Sequence, residues 1–255
     1  MSLLRYLLLF GIFYLAITSA SAGQKTLIIV TNDYPPYAHA AETQSFLPEL
    51  FAEIGNKMGV KFEVRYFPWK RCEQEVEELR AWGAIPYRKT EDRAKTFDFS
   101  DPIYVADSHF FAYRKDNVKR EIQYDVLTDL RGYRIGGIQG YYYQPWYEAA
   151  GLDVDYALSE EQNFKRLQLG RIDLFSTATT VGWHIIKQLF PPEEVAKFYT
   201  LDTPLISGDG LFLMSSKQYP DGPNLLKRFN LALGTVKQDG TYGKLVDKYG
   251  LVLRY

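Results

Sequence analysis

The chain has few of the residues that cross-link proteins or bind metals. Its 255 residues include a single cysteine, Cys72, so no disulfide can form within the chain. The three histidines lie far apart in sequence, without the paired spacing of a metal site: His39, His109 and His184. No glycine-rich phosphate loop occurs, since Gly136-Gly137 before Gly140 fits a strand and a turn. We therefore expect no metal, no cofactor and no catalytic residues.

The chain also lacks an excess of charge of either sign. Thirty basic residues stand against thirty-one acidic ones, so no positive field attracts nucleic acid or an anionic membrane. Hydrophobic residues make up 46% and charged residues 24% of the chain, which is the balance of an ordinary soluble globular protein. The composition predicts a folded protein that does not bind nucleic acid.

Long apolar runs are scarce, and the clearest one lies at the N-terminus. Arg5 precedes an almost unbroken apolar stretch from Leu7 to Ile17, and small residues follow at Ala20-Ser21-Ala22. This is the pattern of a secretory signal peptide, and the run is shorter than the roughly 20 residues that span a membrane. Cys72 lies too far along the chain to accept a lipid. We expect export to the periplasm, cleavage after Ala22 and a free monomer.

Short β-rich runs alternate with helical patterns from Lys25 onward, which indicates α/β layers with mostly parallel sheets. Apolar residues recur every three to four positions over Phe46–Met58, which predicts an amphipathic helix there. Further strands are predicted at Leu27–Val30, Phe62–Tyr66, around Ala84, and at His109–Tyr113, Arg134–Ile138, Val154–Ala157, Asp173–Ser176 and Leu211–Met214. Further helices are predicted at Arg71–Leu79, Tyr142–Ala150, Glu160–Leu169, Asn224–Lys237 and Tyr242–Tyr249.

Several short motifs occur in a fixed order along the chain. They are Asp33-Tyr34-Pro35-Pro36-Tyr37, Thr90-Glu91-Asp92-Arg93 followed by Phe97-Asp98-Phe99-Ser100-Asp101-Pro102, Arg134 to Gly140, Gly170-Arg171-Ile172-Asp173, and Asp239-Gly240-Thr241-Tyr242 with Lys248-Tyr249-Gly250. In this order they resemble the family 3 extracellular, or periplasmic, solute-binding proteins, the substrate-binding type of amino-acid ABC transporters. The resemblance spans nearly the whole chain after the signal segment.

The resemblance implies a particular architecture and function. The fold would be α/β, a two-lobed periplasmic-binding-protein fold of type II with a ligand cleft between lobes that close about a hinge. Lobe 1 would comprise residues 23–102 and 210–255, lobe 2 residues 108–204, and the hinge crossings residues 103–107 and 205–209. The ligand would be a small polar molecule bearing a carboxylate, an amino acid or a related organic acid. ABC transporter membrane subunits would be the partner.

Three candidate ligand contacts lie in what would be lobe 1. Arg93 offers a planar fork that matches a carboxylate, and in the family the matching arginine holds the ligand's carboxylate. A surface salt bridge with Glu91 or Asp92 is the alternative for Arg93. Tyr34 and Trp69 resemble positions that line the cleft, where flat rings contact a ligand; packing in the core is the alternative for both rings.

Three further candidates follow. Gly140 and Tyr142 lie at a turn that enters a helix, where free N–H groups attract anions; a purely structural turn is the alternative. Arg88 stands where amino-acid binders commonly carry Ser or Thr, and it is either a second contact for an anion or a solvated residue at the cleft edge. Trp82 stands where the family often has an aspartate, with no clear consequence.

One departure from the family bears on the ligand. Amino-acid binders usually carry an aspartate five residues after the aspartate of the G-R-x-D motif, and it pairs with the ligand's α-ammonium. Here that position is Ala178. A buried ammonium would need another partner, because an unpaired charge in a closed cleft is costly. The departure puts an ordinary α-amino acid in doubt as the ligand.

Two other functions are compatible with the same scaffold. One is an enzyme such as a periplasmic cyclohexadienyl dehydratase, in which a carboxylate in the cleft would act as general acid. The other is a ligand-sensing module that works with a separate signalling partner. We prefer a binding protein without enzymatic activity, because the sequence offers no nucleophile–base pair.

Overall fold

The structure is a computed structural model that describes residues 24–41, 44–115 and 122–251. The predicted signal peptide, residues 1–22, lies outside these ranges. Within them, no helix combines the length and the apolar character that crossing a bilayer requires.

Strands and helices alternate through most of the described chain. The strands are β1 (Thr26–Thr31), β2 (Lys61–Tyr66), β3 (Gly83–Tyr87), β4 (Phe97–Phe99), β5 (Tyr104–Tyr113), β6 (Arg134–Ile138), β7 (Asp153–Ala157), β8 (Leu174–Ala178) and β9 (Phe198–Ser216). The helices are α1 (Phe46–Met58), α2 (Trp69–Glu77), α3 (Glu91–Thr96), α4 (Gln144–Ala150), α5 (Glu160–Gln168), α6 (Thr179–Leu189), α7 (Pro192–Val195), α8 (Gly222–Gln238) and α9 (Thr241–Lys248), with a short 3-10 helix at Leu127–Leu130.

The strands form two mixed sheets that share β9. Their hydrogen-bonded order is β2-β1-β3-β9-β5-β8-β6-β7, and β4 also pairs with β9. β1 runs parallel to β2 and β3, and β6 runs parallel to β7 and β8. β9 is antiparallel to β5 in its first part and to β3 and β4 in its last part. We call β1–β4 with the end of β9 the first sheet, and β5–β8 with the start of β9 the second sheet.

The central strands are covered on both faces. All residues of β3 and β8 are buried, as expected for parallel strands with helices on either side, whereas β2 alternates exposed and half-buried residues at an edge. α1 buries its apolar stripe and ends at Gly59, whose φ of 67° suits a glycine and whose N–H bonds to the carbonyl groups of Asn56 and Gly55. The predicted alternation and the helix at Phe46–Met58 are therefore confirmed.

The two predicted hinge crossings lie in β5 and β9. They pair side by side as antiparallel neighbours, with Tyr104 opposite Leu211, Ala106 opposite Asp209 and Ser108 opposite Ile206. The register shifts at Ala106/Ser108, Ser108/His109 and His109/Phe111. The lobe boundaries given above stay predictions.

Several predicted elements have different bounds in the structure. The predicted strand His109–Tyr113 is only the end of β5, because residues before it do not alternate between apolar and polar. The predicted helix Tyr142–Ala150 begins at Gln144, since the two tyrosines before it remain in the turn. α6 was not predicted at all, although it buries Val181, Ile185 and Ile186 on one face.

Two helical glycines make a matched test of this packing. A Cβ on Gly182 in α6 would collide with the buried ring of Phe111, whereas a Cβ on Gly234 in α8 would meet nothing. We expect Gly182→Ala to lower the free energy of unfolding by about 1–3 kcal/mol through overpacking. Gly234→Ala should raise it by roughly 0.5–1 kcal/mol through helix propensity. Urea denaturation of both variants checks this, and equal shifts would contradict the packing of α6 on β5.

Candidate functional site

The carboxyl ends of the parallel strands meet around one cavity. Tyr34 follows β1, Trp69 follows β2, Arg88 follows β3, Gly140 follows β6 and Ala178 ends β8. This edge of an α/β sheet is the usual place for ligands. The cavity has a volume of about 40 Å³ and is partly open to solvent. Elements of both sheets therefore contribute to a site for a small molecule.

All six candidate ligand contacts line this cavity: Tyr34, Trp69, Arg88, Arg93, Gly140 and Tyr142. The structure thus brings together residues that are distant in sequence, and their contact with a ligand stays a prediction. Two other lining residues, Tyr87 and Ser108, were not predicted. Tyr87 directly precedes Arg88 at the end of a buried strand, which was an available signal. Ser108 is placed by the pairing of β5 with β8, which the sequence does not reveal.

Aromatic rings form much of the wall. Trp69 meets the rings of Tyr34, Tyr87 and Tyr141 edge to face, at centroid distances of 5.2, 5.4 and 6.1 Å. The hydroxyl of Tyr87 donates to the carbonyl of Trp69 at 2.7 Å and fixes the start of α2. Among the described protein atoms, the buried indole nitrogen of Trp69 has no acceptor. Since buried donors are normally satisfied, this N–H is available to a ligand.

Arg93 links the two sheets across the cavity. It lies in the first turn of α3, whose N-cap Thr90 accepts the N–H of Arg93, so the threonine of the motif orients the arginine. The guanidinium donates to Glu73 at 3.2 Å and to the carbonyl oxygen of Gly140 at 3.1 Å. It also lies 4.8 Å from the ring centre of Tyr87. Arg93 is therefore largely covered, with a side chain that is 10% exposed, and it contacts groups on both sides of the cavity.

The carboxylate partner of Arg93 differs from the one that the sequence suggested. We considered a salt bridge with Glu91 or Asp92, but the pair forms with Glu73 on α2. Asp92 instead binds Lys95 three residues later on the same short helix. The side chain of Arg93 extends over the ring of Tyr87 toward α2. It therefore does not lie along the exposed face of α3, where Asp92 is.

Arg88 is buried at the crossing strands. It is 4% exposed, which makes the interpretation as a solvated residue at the cleft edge wrong. Its guanidinium donates to Asp209 at 2.9 Å, to the carbonyl of Ala106 at 2.9 Å and to the hydroxyl of Ser108 at 3.2 Å. It also faces the ring of Tyr142 at 5.1 Å. The residues of β5 and β9 thus hold this cation at the base of the cavity.

The turn after β6 does not offer the free N–H groups that were expected of it. The N–H of Gly140 donates to the side chain of Gln144 at 3.1 Å, and the N–H of Tyr141 donates to Ile138 at 3.2 Å. The expectation of an anion site there is wrong for these two groups, because the turn satisfies them itself. What Gly140 does provide is a carbonyl for Arg93 and a close approach to Lys70 on α2.

The charges around the cavity favour an anion. Of the described residues that line it, two are cationic, Arg88 and Arg93, and none is acidic. Their carboxylate partners, Asp209 and Glu73, lie outside the lining. Ala178, 5% exposed, pairs with Ser108 beside Arg88. Nowhere in the described ranges do three or more His, Cys, Asp or Glu side chains form a group that could hold a metal.

The approach of Gly140 to α2 generates a test of closure. Gly140 has a φ of 82°, and a Cβ there would come within 3.1–3.2 Å of Cβ, Cα and N of Lys70. We expect Gly140→Ala to keep the two sheets apart and to increase the radius of gyration in small-angle scattering. Gly132→Ala is the control, since Gly132 has a similar φ of 94° but no neighbour within 4 Å. Equal radii for the two variants and the unsubstituted protein would contradict the expected effect.

Comparisons with known proteins agree with this geometry. The model of "Bacterial extracellular solute-binding proteins, family 3" matches residues 27–252. The lysine/arginine/ornithine-binding periplasmic protein of Escherichia coli (strain K12) is 25% identical over 269 residues, covering 97% of this chain and 96% of that protein. An ancestral arginine-binding protein, solved with bound arginine, has a TM-score of 0.75 and 26% identity, and the match covers 89% of this chain and 98% of that one.

A more distant structure shows how widely the fold is used. A histidine kinase sensor domain with similarity to periplasmic binding proteins has a TM-score of 0.77 at 20% identity, covering 91% of this chain and 98% of that one. The predicted type II periplasmic-binding-protein fold is confirmed by these matches and by the sheet order. The match over residues 27–252 shows that the chain belongs to the bacterial extracellular solute-binding proteins of family 3.

Proposed function

We propose that this protein binds a small molecule bearing a carboxylate in the periplasm and presents it to the membrane subunits of an ABC importer. The observation that carries the proposal is the cavity itself, which is built from both sheets and is lined by the buried Arg88 and the largely covered Arg93, with no acidic residue among the described lining residues. The relatives named above bind amino acids, which supports a small carboxylate-bearing ligand.

Arg93 is the proposed anchor for the carboxylate. Its donors now go to Glu73, to the carbonyl of Gly140 and to the carbonyl of Arg88. A ligand carboxylate is a better partner for the planar fork than a carbonyl, because both bonds are charge-assisted. The rings of Tyr34 and Trp69 cover the apolar part of the ligand, and the free indole N–H supplies one further donor.

We further propose that the preferred ligand has no ammonium group beside its carboxylate. Ala178 supplies no counter-charge, and the buried guanidinium of Arg88 already bonds to Ser108, the strand neighbour of Ala178. A ligand ammonium there would be desolvated next to a cation, which costs several kcal/mol unless it is paired. An organic acid, in particular one with a second carboxylate for Arg88, fits these charges better.

The proposal includes the cellular setting and a binding role without catalysis. Export follows from the signal peptide pattern ending at Ala22, and family membership supports a periplasmic location. A sensing role would use the same binding event, but no observation on this chain favours it over import.

Substitution of Arg93 tests the proposed site. We expect Arg93→Ala to weaken binding of the best ligand by about 100-fold to 1,000-fold, since the carboxylate would lose its buried partner. Arg93→Lys should recover part of the affinity, because an ammonium cannot form the fork. Isothermal calorimetry would use a panel of L-arginine, L-lysine, L-histidine, succinate and glutarate.

The control for this experiment is Arg65→Ala, which removes an exposed arginine paired with Glu63 on the edge strand β2. It should leave every affinity unchanged. Unchanged affinity in Arg93→Ala would remove Arg93 from the site. If no compound on the panel bound the unsubstituted protein, native mass spectrometry of protein purified without refolding would look for a copurified acid, and an empty protein would count against the proposal.

A charge reversal at the base of the cavity tests the ligand class. We expect Ala178→Asp combined with Arg88→Ser to improve binding of α-amino acids and to weaken binding of dicarboxylates, because it exchanges a cation for an anion. Ala178→Asp alone should gain less, since Arg88 would neutralise the new carboxylate. Calorimetry on the same panel gives the comparison, and tight binding of α-amino acids by the unsubstituted protein would overturn the preference for an organic acid.

A further inference from the structure

A buried carboxyl group lies directly behind the cavity wall. Glu160 is the first residue of α5 and is 5% exposed. The hydroxyl of Tyr141 donates to its Oε1. Tyr141 itself lines the cavity and meets the ring of Trp69 edge to face, with 6.1 Å between the ring centres. Trp69 belongs to the first-sheet side, by which we mean the first sheet with its helices and loops, and Tyr141 belongs to the corresponding second-sheet side. Glu160 therefore orients Tyr141, one of the side chains through which the second-sheet side contacts the first-sheet side.

The surroundings of Glu160 come from three elements. Tyr141 in the turn before α4 bonds to it, and Glu161 follows it on α5. Asp33 and Tyr34 in the loop after β1, and Tyr143 in the turn before α4, are close enough to interact electrostatically with it. Asp33 is held in turn by the side chain of His39 and the N–H of Ala40. Two acidic side chains and three tyrosines thus lie near the carboxyl group of Glu160.

These surroundings work against an ionised Glu160. Burial, and to a smaller extent the charges of Asp33 and Glu161, raise the pKa of Glu160 to about 7. The bond from Tyr141 and the backbone N–H at the start of α5 act in the opposite direction, as expected for a carboxylate at a helix N-terminus. Burial and the charge of Glu160 in turn raise the pKa of Tyr34 well above its ordinary value.

We infer that Glu160 is a positioning residue that holds Tyr141 against the first-sheet side, and that closing of the two sides buries its carboxyl group and takes up a proton there. Asp33 and Tyr34 belong to the first-sheet side, whereas Glu160 and Tyr141 belong to the second-sheet side. Opening separates the carboxyl group from Asp33 and lets water reach it. The inference rests on the proposed function and on the hinge closing that the family resemblance implies, but it does not depend on the identity of the ligand.

The direction of the pH effect follows from linkage. Glu160 has a pKa of about 7 in the closed arrangement and a lower value when opening exposes it. Closing therefore binds a proton between these two pKa values, and the closed form gains as pH falls below about 7. Between pH 8 and pH 5.5 the closing equilibrium constant should rise by at most roughly 30-fold, if the open form has an ordinary glutamate pKa.

Distance measurements between the two sides test this in the ligand-free protein. One nitroxide on Asn56→Cys in α1 and one on Lys165→Cys in α5 report the separation, since both positions are exposed. Burial raises the pKa of the Cys72 thiol to about 12, so the native cysteine does not take the label. Pulsed electron resonance should show a larger short-distance population at pH 5.5 than at pH 8.

Two variants identify the group that carries the effect. Glu160→Gln keeps the shape and the acceptor for Tyr141 but cannot ionise, so its closed population should be high and equal at both pH values. Glu161→Gln removes the exposed neighbouring carboxylate and should retain most of the pH dependence. Comparison of these two variants is needed because His39, which binds Asp33, is also ionisable. A pH dependence that came from His39 would persist in Glu160→Gln.

Two results would overturn the inference. One is an unsubstituted protein whose distance distribution is the same at pH 5.5 and pH 8, and the other is a Glu160→Gln protein that keeps the pH dependence. If Glu160→Gln failed to fold, carboxyl NMR of the unsubstituted protein would decide, since a glutamate that titrates near pH 7 is expected. Ligand-induced compaction without any pH effect would reject this inference and leave the proposed function intact.

Discussion

The antiparallel ladder between β5 and β9 holds the two sheets side by side, and the cavity depends on it. Because β9 belongs to both sheets and β5 pairs along it, the carboxyl ends of β1 and β3 on one side face those of β6 and β8 on the other. The same strands hold Arg88 through Asp209, Ala106 and Ser108. The strands that connect the two sheets therefore also position the guanidinium of Arg88 at the base of the cavity.

The two arginines of the cavity differ in how they are held. Arg88 is fixed by the crossing strands themselves, so we expect its position to change little when the predicted lobes close. Arg93 bonds to Glu73 on its own side and to Gly140 on the other, so one of its bonds exists only when the cavity is narrow. The first bonds to groups of the crossing strands, and we expect the second to respond to closure. A ligand carboxylate at Arg93 would strengthen the link between the two sides.

The sequence predicted the fold class and six of the twelve residues that line the cavity, because motifs and periodicity report local structure. Arg93 follows from its place after Thr90, and Tyr34 from the motif after β1. The charges that hold these residues were not predictable, since Glu73 and Asp209 meet their partners only through tertiary packing. Glu160 was missed for the same reason: a glutamate at the start of a helix is normally solvated, and here it is buried by tertiary packing.

The long strand β9 also determines the order in which the molecule can be completed. The second sheet is made from one continuous stretch, whereas the first sheet needs the end of β9, where Ser215 bonds to the carbonyl of Trp82 from 133 residues away. Loop closure over such a separation is slow relative to local pairing. Because the chain is synthesised from its N-terminus, the buried strand β3 has one edge unpaired until the end of β9 is made, and this edge can pair with other chains during folding.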